Sequence, residues 1–119
     1  MRIVIIPRCT ELIIVVNPTG ELTQEGCLSV LPGLYAPWPH AREKGVIETE
    51  VEDETLLALL TKLSERYEQV NVGFSPIKPG TRNVDSDYDV YVNSKDYVTL
   101  PHGLDVKLTT GDEVVVRMV

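Results

Sequence analysis

The side chains with the widest catalytic and metal-binding use in this chain of 119 residues are two cysteines and two histidines. They are Cys9, Cys27, His40 and His102. A Cys27–His40 pair could form an activated thiol nucleophile, but a small buried cysteine and a loop histidine explain the same residues more simply. The chain also lacks a glycine-rich phosphate loop, a dinucleotide fingerprint and a nucleophile elbow. These observations predict no catalytic residue, no cofactor and no metal site.

Three aspartates alternate along one segment, at Asp85, Asp87 and Asp89. Alternating carboxylates occur in calcium-binding loops, but the glycine and the final glutamate of such a loop are missing here. The solvated face of a β-strand produces the same alternation. We therefore favour a strand face over a cation site.

The composition is typical of a single soluble domain spanning residues 1–119. Hydrophobic residues make up 43% and charged residues 24% of the chain, and the formal net charge is −7. Charge is balanced in residues 1–45, so the acidic excess lies in residues 46–119. This excess disfavours nucleic acid as a partner, because nucleic-acid binding needs a basic face, and it suits a protein partner with a basic surface.

No apolar run is long enough to span a membrane and no signal peptide is visible, so we expect a cytoplasmic protein with free thiols.

The N-terminal region predicts a β-hairpin. Arg2–Ile6 and Leu12–Val16 are rich in β-branched residues, which favours two strands joined by a turn. Leu28–Leu31 predicts another short strand. Both hairpin strands are apolar on both faces, which is typical of strands that are covered on both sides.

A proline-rich segment, residues 32–45, follows and predicts a long loop. It holds Tyr35 and Trp38, the latter being the only tryptophan of the chain. Aromatic side chains in such a loop anchor protein partners or close the end of a core. Tyr35 and Trp38 are therefore candidate partner-binding residues.

The clearest helix follows an acidic strand. Residues 46–51 alternate apolar and acidic side chains, which predicts a strand with one solvated face. Asp53 is the expected N-cap of the next element. An amphipathic helix is predicted by an apolar stripe at helical spacing, formed by Leu56, Leu59, Leu60, Leu63 and Tyr67.

Short strands are predicted in the last third of the chain. Tyr88–Val92 alternates apolar and polar residues, and Asn93-Ser94 predicts a hairpin turn into Asp96–Leu100. The final strand is expected at Glu113–Met118. The order of elements predicts an α+β fold in which one main helix covers a sheet.

An ordered set of short motifs in residues 46–119 carries a family resemblance. They are the acidic strand and Leu-rich helix (46–67), Val92-Asn93-Ser94-Lys95, Gly103-Leu104-Asp105, and the Thr-Gly-Asp-Glu-Val turn within Leu108–Val116. In this order the motifs resemble the small ubiquitin-like sulfur carriers of the MoaD/ThiS type, which include the small subunit of molybdopterin synthase and its thiamine-pathway relative. The resemblance implies a ubiquitin-like β-grasp fold with a mixed sheet, to which residues 1–45 add an N-terminal β extension.

The resemblance also carries expectations about function. In these sulfur carriers an activating enzyme adenylates a mobile Gly-Gly tail, and sulfur then replaces oxygen. Here the last strand is followed by no glycine tail, and Arg117, Met118 and Val119 become further candidate partner contacts. The resemblance then implies a non-catalytic protein of molybdenum or tungsten cofactor metabolism. It would bind an activating enzyme or a protein like the synthase large subunit. The alternative is a genuine sulfur carrier with a missing or processed tail.

A second, shorter resemblance lies in residues 15–32. The string Glu25-Gly26-Cys27-Leu28-Ser29 resembles the segment around the metal-binding cysteine of peptide deformylases. That family also needs a His-Glu-x-x-His helix to hold its metal, and neither His40 nor His102 lies in such a motif. A remnant of a deformylase-like metal hydrolase is thus another alternative.

Because both hairpin strands are apolar on both faces, the sequence also predicts how the chain assembles with other copies. The helix can cover only one face of a small sheet, so the loop at 32–45 is expected to cover the other. Where that loop is too small, a second copy of the chain would bury the remaining apolar surface. A homodimer through residues 1–45 is therefore expected.

Overall fold

The computed structural model describes residues 1–18 and 32–119. Among these residues one α-helix, α1, spans Leu56–Gln69. The strands are β1 (Arg2–Arg8), β2 (Glu11–Val16), β3 (Ile47–Glu50), β4 (Tyr88–Val92), β5 (Lys95–Asp96) and β6 (Glu113–Met118). This is an α+β fold, as the sequence predicts.

The six strands of the described ranges form one sheet in the order β3-β1-β2-β6-β4-β5. Every neighbouring pair is antiparallel, so the expectation of a mixed sheet is wrong. The reason is the position of β2, which pairs with β1 on one side and with β6 on the other. Because β1 and β6 both run antiparallel to β2, they point in the same direction but are not neighbours in the sheet.

Helix α1 forms where the apolar stripe predicts it, and all five stripe residues are buried. Its N-cap is Thr55, whose hydroxyl oxygen accepts a hydrogen bond from the backbone N–H of Ala58 at 3.2 Å. The prediction of Asp53 as the N-cap is wrong. A tertiary contact fixes the start of the helix, because the N–H of Leu56 donates to the carbonyl of Val106 at 3.0 Å. That contact is invisible to local capping rules.

The core lies between α1 and one face of the sheet. A chain of aromatic rings crosses it edge to face, with centroids 5.9 Å apart for Trp38–Tyr67, 5.5 Å for Tyr67–Phe74 and 5.2 Å for Phe74–Tyr88. Burial raises the pKa of the Tyr67 phenol, and the nearby Tyr35 raises it further. The Tyr67 hydroxyl donates to the carbonyl of Leu34 at 2.8 Å.

The proline-rich segment does not form the expected irregular loop. It contains two 3-10 helices, Pro32–Tyr35 and Pro39–Glu43. Tyr35 joins the core beneath α1, and Trp38 packs against Tyr67 of the helix. Both aromatic rings thus pack on the side of the sheet that α1 covers, where Tyr67 provides a partner, so the expectation that this segment covers the opposite face is wrong.

The hairpins follow the predictions with two differences. The strand expected at Asp96–Leu100 ends at Asp96, because the Asp96 carboxylate accepts from the N–H of Val98 and starts a 3-10 helix at Tyr97–Thr99. Cys9, in the β1–β2 turn, is disulfide-bonded, so the expectation of a free thiol there is wrong. That expectation rested on the compartment alone, whereas bond formation depends on the distance between two sulfur atoms. The strand predicted at Leu28–Leu31, like Cys27, lies outside the described residues.

Candidate functional site

Among the strands of residues 1–18 and 32–119, β3 lies at one end of the sheet order and has a partner strand on one side only. It pairs with β1, with Ile3 opposite Thr49 and Val4 opposite Glu48. Beyond the strand end, the Met1 ammonium donates to the carbonyl of Val51 at 2.7 Å and the Val51 N–H donates to the carbonyl of Met1 at 2.8 Å, which identifies the hydrogen-bonded pairs of this ladder. Because such pairs alternate in an antiparallel ladder, the N–H and C=O groups of Glu48 and Glu50 point away from β1.

These outward groups define what we call the β3 edge: the backbone N–H and C=O of Glu48 and of Glu50. In the described parts of the chain, no hydrogen bond engages any of the four groups. Edge strands with unpaired backbone groups are templates for another chain. The β3 edge is therefore a place where a further strand can form hydrogen bonds.

The surface around the β3 edge is acidic. Glu48 and Glu50 are exposed on the sheet face opposite α1, and three more exposed carboxylates follow directly at Glu52, Asp53 and Glu54. Cations also lie close by: Lys44 lines the same pocket as Glu48, the Met1 ammonium donates to the carbonyl of Val51, and the Arg2 guanidinium is 4.0 Å from the Glu48 carboxylate. Both side chains are more than half exposed to solvent, so this ion pair is weak and does not neutralise the edge.

A pocket of about 400 Å³ opens at the start of β3. We call it the Trp38 pocket, and its lining residues come from the second 3-10 helix and from β3: Pro37, Trp38, His40, Ala41, Lys44, Val46, Ile47 and Glu48. The Trp38 ring is held in place from two sides, edge-on by Tyr67 and by the guanidinium of Arg66, whose carbon lies 5.5 Å from the ring centre. The pocket is therefore preformed rather than assembled by a ligand.

Trp38 also keeps a polar group available. Its indole N–H makes no hydrogen bond to any residue in 1–18 or 32–119, and no buried side-chain nitrogen of the described residues lacks a partner. The indole N–H therefore reaches solvent. It can donate a hydrogen bond to a bound molecule, as partly buried tryptophans at interfaces do.

A second, larger cleft of about 620 Å³ continues from the end of β3 along α1. Glu50 lines this cleft while Glu48 lines the Trp38 pocket, so the two cavities lie at the two ends of the β3 edge. Arg66 belongs to the second cleft and also lies over Trp38. The β3 edge thus has a pocket at each end, and the Trp38–Arg66 contact connects them.

The other predicted partner-binding residues lie in different places. Tyr35 is only 5% exposed, and its hydroxyl donates to the carbonyl of Gly45 at 3.1 Å, so it supports the segment that carries Trp38. Arg117, Met118 and Val119 belong to or follow β6, which β1 and β2 separate from β3. The structure therefore brings Tyr35 and Trp38 together but not the three C-terminal residues.

The C-terminal residues differ among themselves. The Arg117 guanidinium lies 3.5 Å from the Asp89 carboxylate and 5.5 Å from the ring centre of Tyr91. Met118 is half-buried against the core, whereas Val119 is 81% exposed. Val119 alone offers an apolar side chain to a partner here.

The histidine and cysteine side chains, which have the widest catalytic and metal-binding use, do not form a common site in the described part of the chain. His40 is exposed at the Trp38 pocket, and His102 is exposed before the 3-10 helix at Gly103–Asp105. Within residues 1–18 and 32–119, no three His, Cys, Asp or Glu side chains form a group that could hold a metal ion. The deformylase-like string that includes Cys27 lies outside these residues.

Comparisons with known proteins add no family to this description. No protein-family model, curated protein or solved structure matches the chain. None of the helices in the described residues is long and apolar enough to cross a bilayer.

The sequence predicts the strand and the tryptophan of this site, but it does not predict the unpaired edge of the strand. The alternation of apolar and acidic residues at 46–51 predicts the strand and its acidic face, and the lone tryptophan marks the pocket. The free edge has no local signal, because the same alternation would appear in a strand with neighbours on both sides.

Proposed function

We propose that this chain is a non-catalytic β-grasp protein, related to the MoaD/ThiS-type sulfur carriers, that works by binding a protein partner. The partner would present a basic surface, as an activating enzyme or a protein like the synthase large subunit would. Molybdenum or tungsten cofactor metabolism is the pathway that the resemblance suggests.

The arrangement of the strands supports the β-grasp part of this proposal. In a β-grasp sheet the first and last strands lie side by side and parallel in the middle, and the helix follows an edge strand. Here β1 and β6 run in the same direction, and α1 follows the edge strand β3. When β2 is set aside, the order of the described strands becomes β3-β1-β6-β4-β5, and this order supports the proposed relation to the β-grasp fold.

The observation that carries the binding part is the acidic β3 edge beside the preformed Trp38 pocket. A half-buried tryptophan next to an apolar pocket is the kind of anchor that contributes most to protein–protein affinity. Carboxylates around it raise the association rate of a basic partner and make binding sensitive to salt. These features are suited to recognition and need no reacting group.

The alternative, a sulfur carrier whose tail is missing or processed, predicts a different reaction product. The test is to incubate the protein with an activating enzyme, ATP and a sulfur source and then to measure its intact mass by mass spectrometry. We expect no exchange of oxygen for sulfur at the terminal carboxylate. A thiocarboxylate product would replace the non-catalytic proposal with the sulfur-carrier alternative.

Binding itself is tested with the same activating enzyme and with a synthase large subunit by isothermal titration calorimetry. We expect one of them to bind, with an affinity that falls as salt is raised. Trp38→Ala should weaken this binding, whereas Tyr97→Ala, a half-buried aromatic residue away from the β3 edge, should not. Failure of both proteins to bind would refute the proposed function.

A further inference from the structure

We propose that the β3 edge binds an extended segment of the partner as an added strand, and that this segment alternates basic and apolar side chains. This inference rests on the proposed function, since it names the chemistry of the partner at the same site. An apolar side chain of the segment occupies the Trp38 pocket, and its basic side chains lie beside Glu48 and Glu50.

The backbone groups set the mode of binding. Glu48 and Glu50 each direct one N–H and one C=O outward, and these groups are spaced two residues apart along the strand. An extended segment that lies alongside can satisfy all four groups at once. Strand addition of this kind takes its affinity from the main chain and its specificity from pockets for alternate side chains.

The two faces of the edge set the sequence of the segment. Side chains of a strand alternate between faces, so the residues of the bound segment alternate too. On the face opposite α1 they meet the carboxylates of Glu48 and Glu50, which favours lysine or arginine. On the α1 side they meet Trp38 and the cleft along the helix, which favours an apolar side chain.

The same carboxylates argue against a second copy of this chain as the occupant. Antiparallel pairing of β3 with β3 of another copy around Thr49 would place Glu48 of one copy directly opposite Glu50 of the other. Like charges in directly opposed positions destabilise a strand pair. The acidic edge thus disfavours pairing of β3 with β3 of a second copy and favours a basic segment.

The test uses a short capped peptide that alternates lysine with valine, and a peptide of the same composition with its lysines grouped together. Binding is followed by Trp38 fluorescence and by the NMR shifts of the Glu48 and Glu50 amides. We expect the alternating peptide to bind, with the largest shifts at these two amides, and the grouped peptide to bind at least about tenfold more weakly. Equal binding of both peptides, or shifts centred elsewhere, would refute strand addition.

Two sets of N-methylated peptides test the backbone hydrogen bonds. One set is methylated at every second amide and the other at the intervening amides, so the charge and side chains are unchanged. Only the amides that face β3 donate to it, so one set should lose binding and the other should keep it. If neither set loses binding, the segment does not bind as a strand.

Charge-reversed variants test the carboxylates. We expect Glu48→Lys combined with Glu50→Lys to weaken binding about tenfold. A matched control, Glu68→Lys combined with Glu113→Lys, changes the net charge equally at exposed sites away from the β3 edge and should leave binding within about twofold. Ala41→Leu fills the Trp38 pocket and should also weaken binding. If the control weakens binding as much as the edge variant, the attraction is a property of net charge and the inference fails.

The inference and the proposed function can fail separately. If the activating enzyme or the large subunit binds with the same affinity to the wild type and to the Glu48→Lys, Glu50→Lys variant, the proposed function stands and strand addition at β3 is wrong. If neither protein nor peptide binds, both are wrong.

Discussion

The most informative perturbation of the core is Tyr67→Phe, which keeps the ring that supports Trp38 and removes one hydroxyl. In the folded chain this hydroxyl donates to the carbonyl of Leu34 at 2.8 Å, and Tyr67 is fully buried. Loss of the donor leaves a buried carbonyl without that partner, which costs about 1–3 kcal/mol. At neutral pH the variant should therefore be less stable than the wild type by about that amount.

At alkaline pH the difference in unfolding free energy between the wild type and Tyr67→Phe becomes smaller. Burial raises the pKa of Tyr67 above its value in the unfolded chain, which is about 10. The stabilisation from the protonated phenol is fully present below that pH and is lost as pH rises above it, because the unfolded chain releases the proton first. One such group lowers the unfolding free energy by about 1 kcal/mol between pH 10 and pH 11, and the variant does not have this loss.

The assay is urea unfolding followed by far-UV circular dichroism at pH values from about 7 to about 11. The gap between wild type and Tyr67→Phe should narrow steadily above pH 10. Tyr88, whose pKa burial also raises, titrates in both proteins and so leaves the gap unaffected. The control is Tyr97→Phe, a half-buried tyrosine whose hydroxyl makes no hydrogen bond within residues 1–18 and 32–119. Parallel pH profiles for the wild type and Tyr67→Phe would refute the assignment of Tyr67 as a buried group that titrates late.

Three further predictions concern the fold and its assembly. Ser64→Ala removes the hydroxyl that accepts from the N–H of Ile77 at 3.1 Å, so it should cost about 1–3 kcal/mol in urea unfolding and accelerate hydrogen exchange at that amide. Asn93 has a φ of +50°, and its side chain forms hydrogen bonds with the Asp112 carboxylate and the Glu113 N–H. Asn93→Ala and Asn93→Gly both lose these bonds, but only alanine strains the turn, so in urea unfolding the alanine variant should have an unfolding free energy about 1 kcal/mol lower than the glycine variant. The homodimer expected through residues 1–45 is tested with Ile13→Lys, since Ile13 is half-buried on the face opposite α1. Light scattering should show a dimer for the wild type and a monomer for the variant. A monomeric wild type would refute the dimer.

Elements whose signals are local could be predicted from the residues alone. The leucine stripe of α1 repeats with the helical period, and each of its residues is buried where the period predicts. The last strand, Glu113–Met118, and the hairpin of β1 and β2 also lie where β-branched residues and turn residues indicate. These predictions succeed because periodicity reports which side of an element is buried.

The neighbours of each strand, and the edge left unpaired among the described residues, became known from the three-dimensional fold. Alternation in residues 46–51 is the same for an inner strand as for an outer one, so it did not reveal that β3 lies at the end of the sheet that the described strands form. Nor did the hairpin reveal that β2 lies between β1 and β6 and makes the sheet wholly antiparallel. The side on which Trp38 packs was also undetermined, because its partner Tyr67 is distant in sequence. The physical reason is common to all three: backbone hydrogen bonds between strands, and ring contacts between elements, join residues that are far apart along the chain, and no local pattern records them.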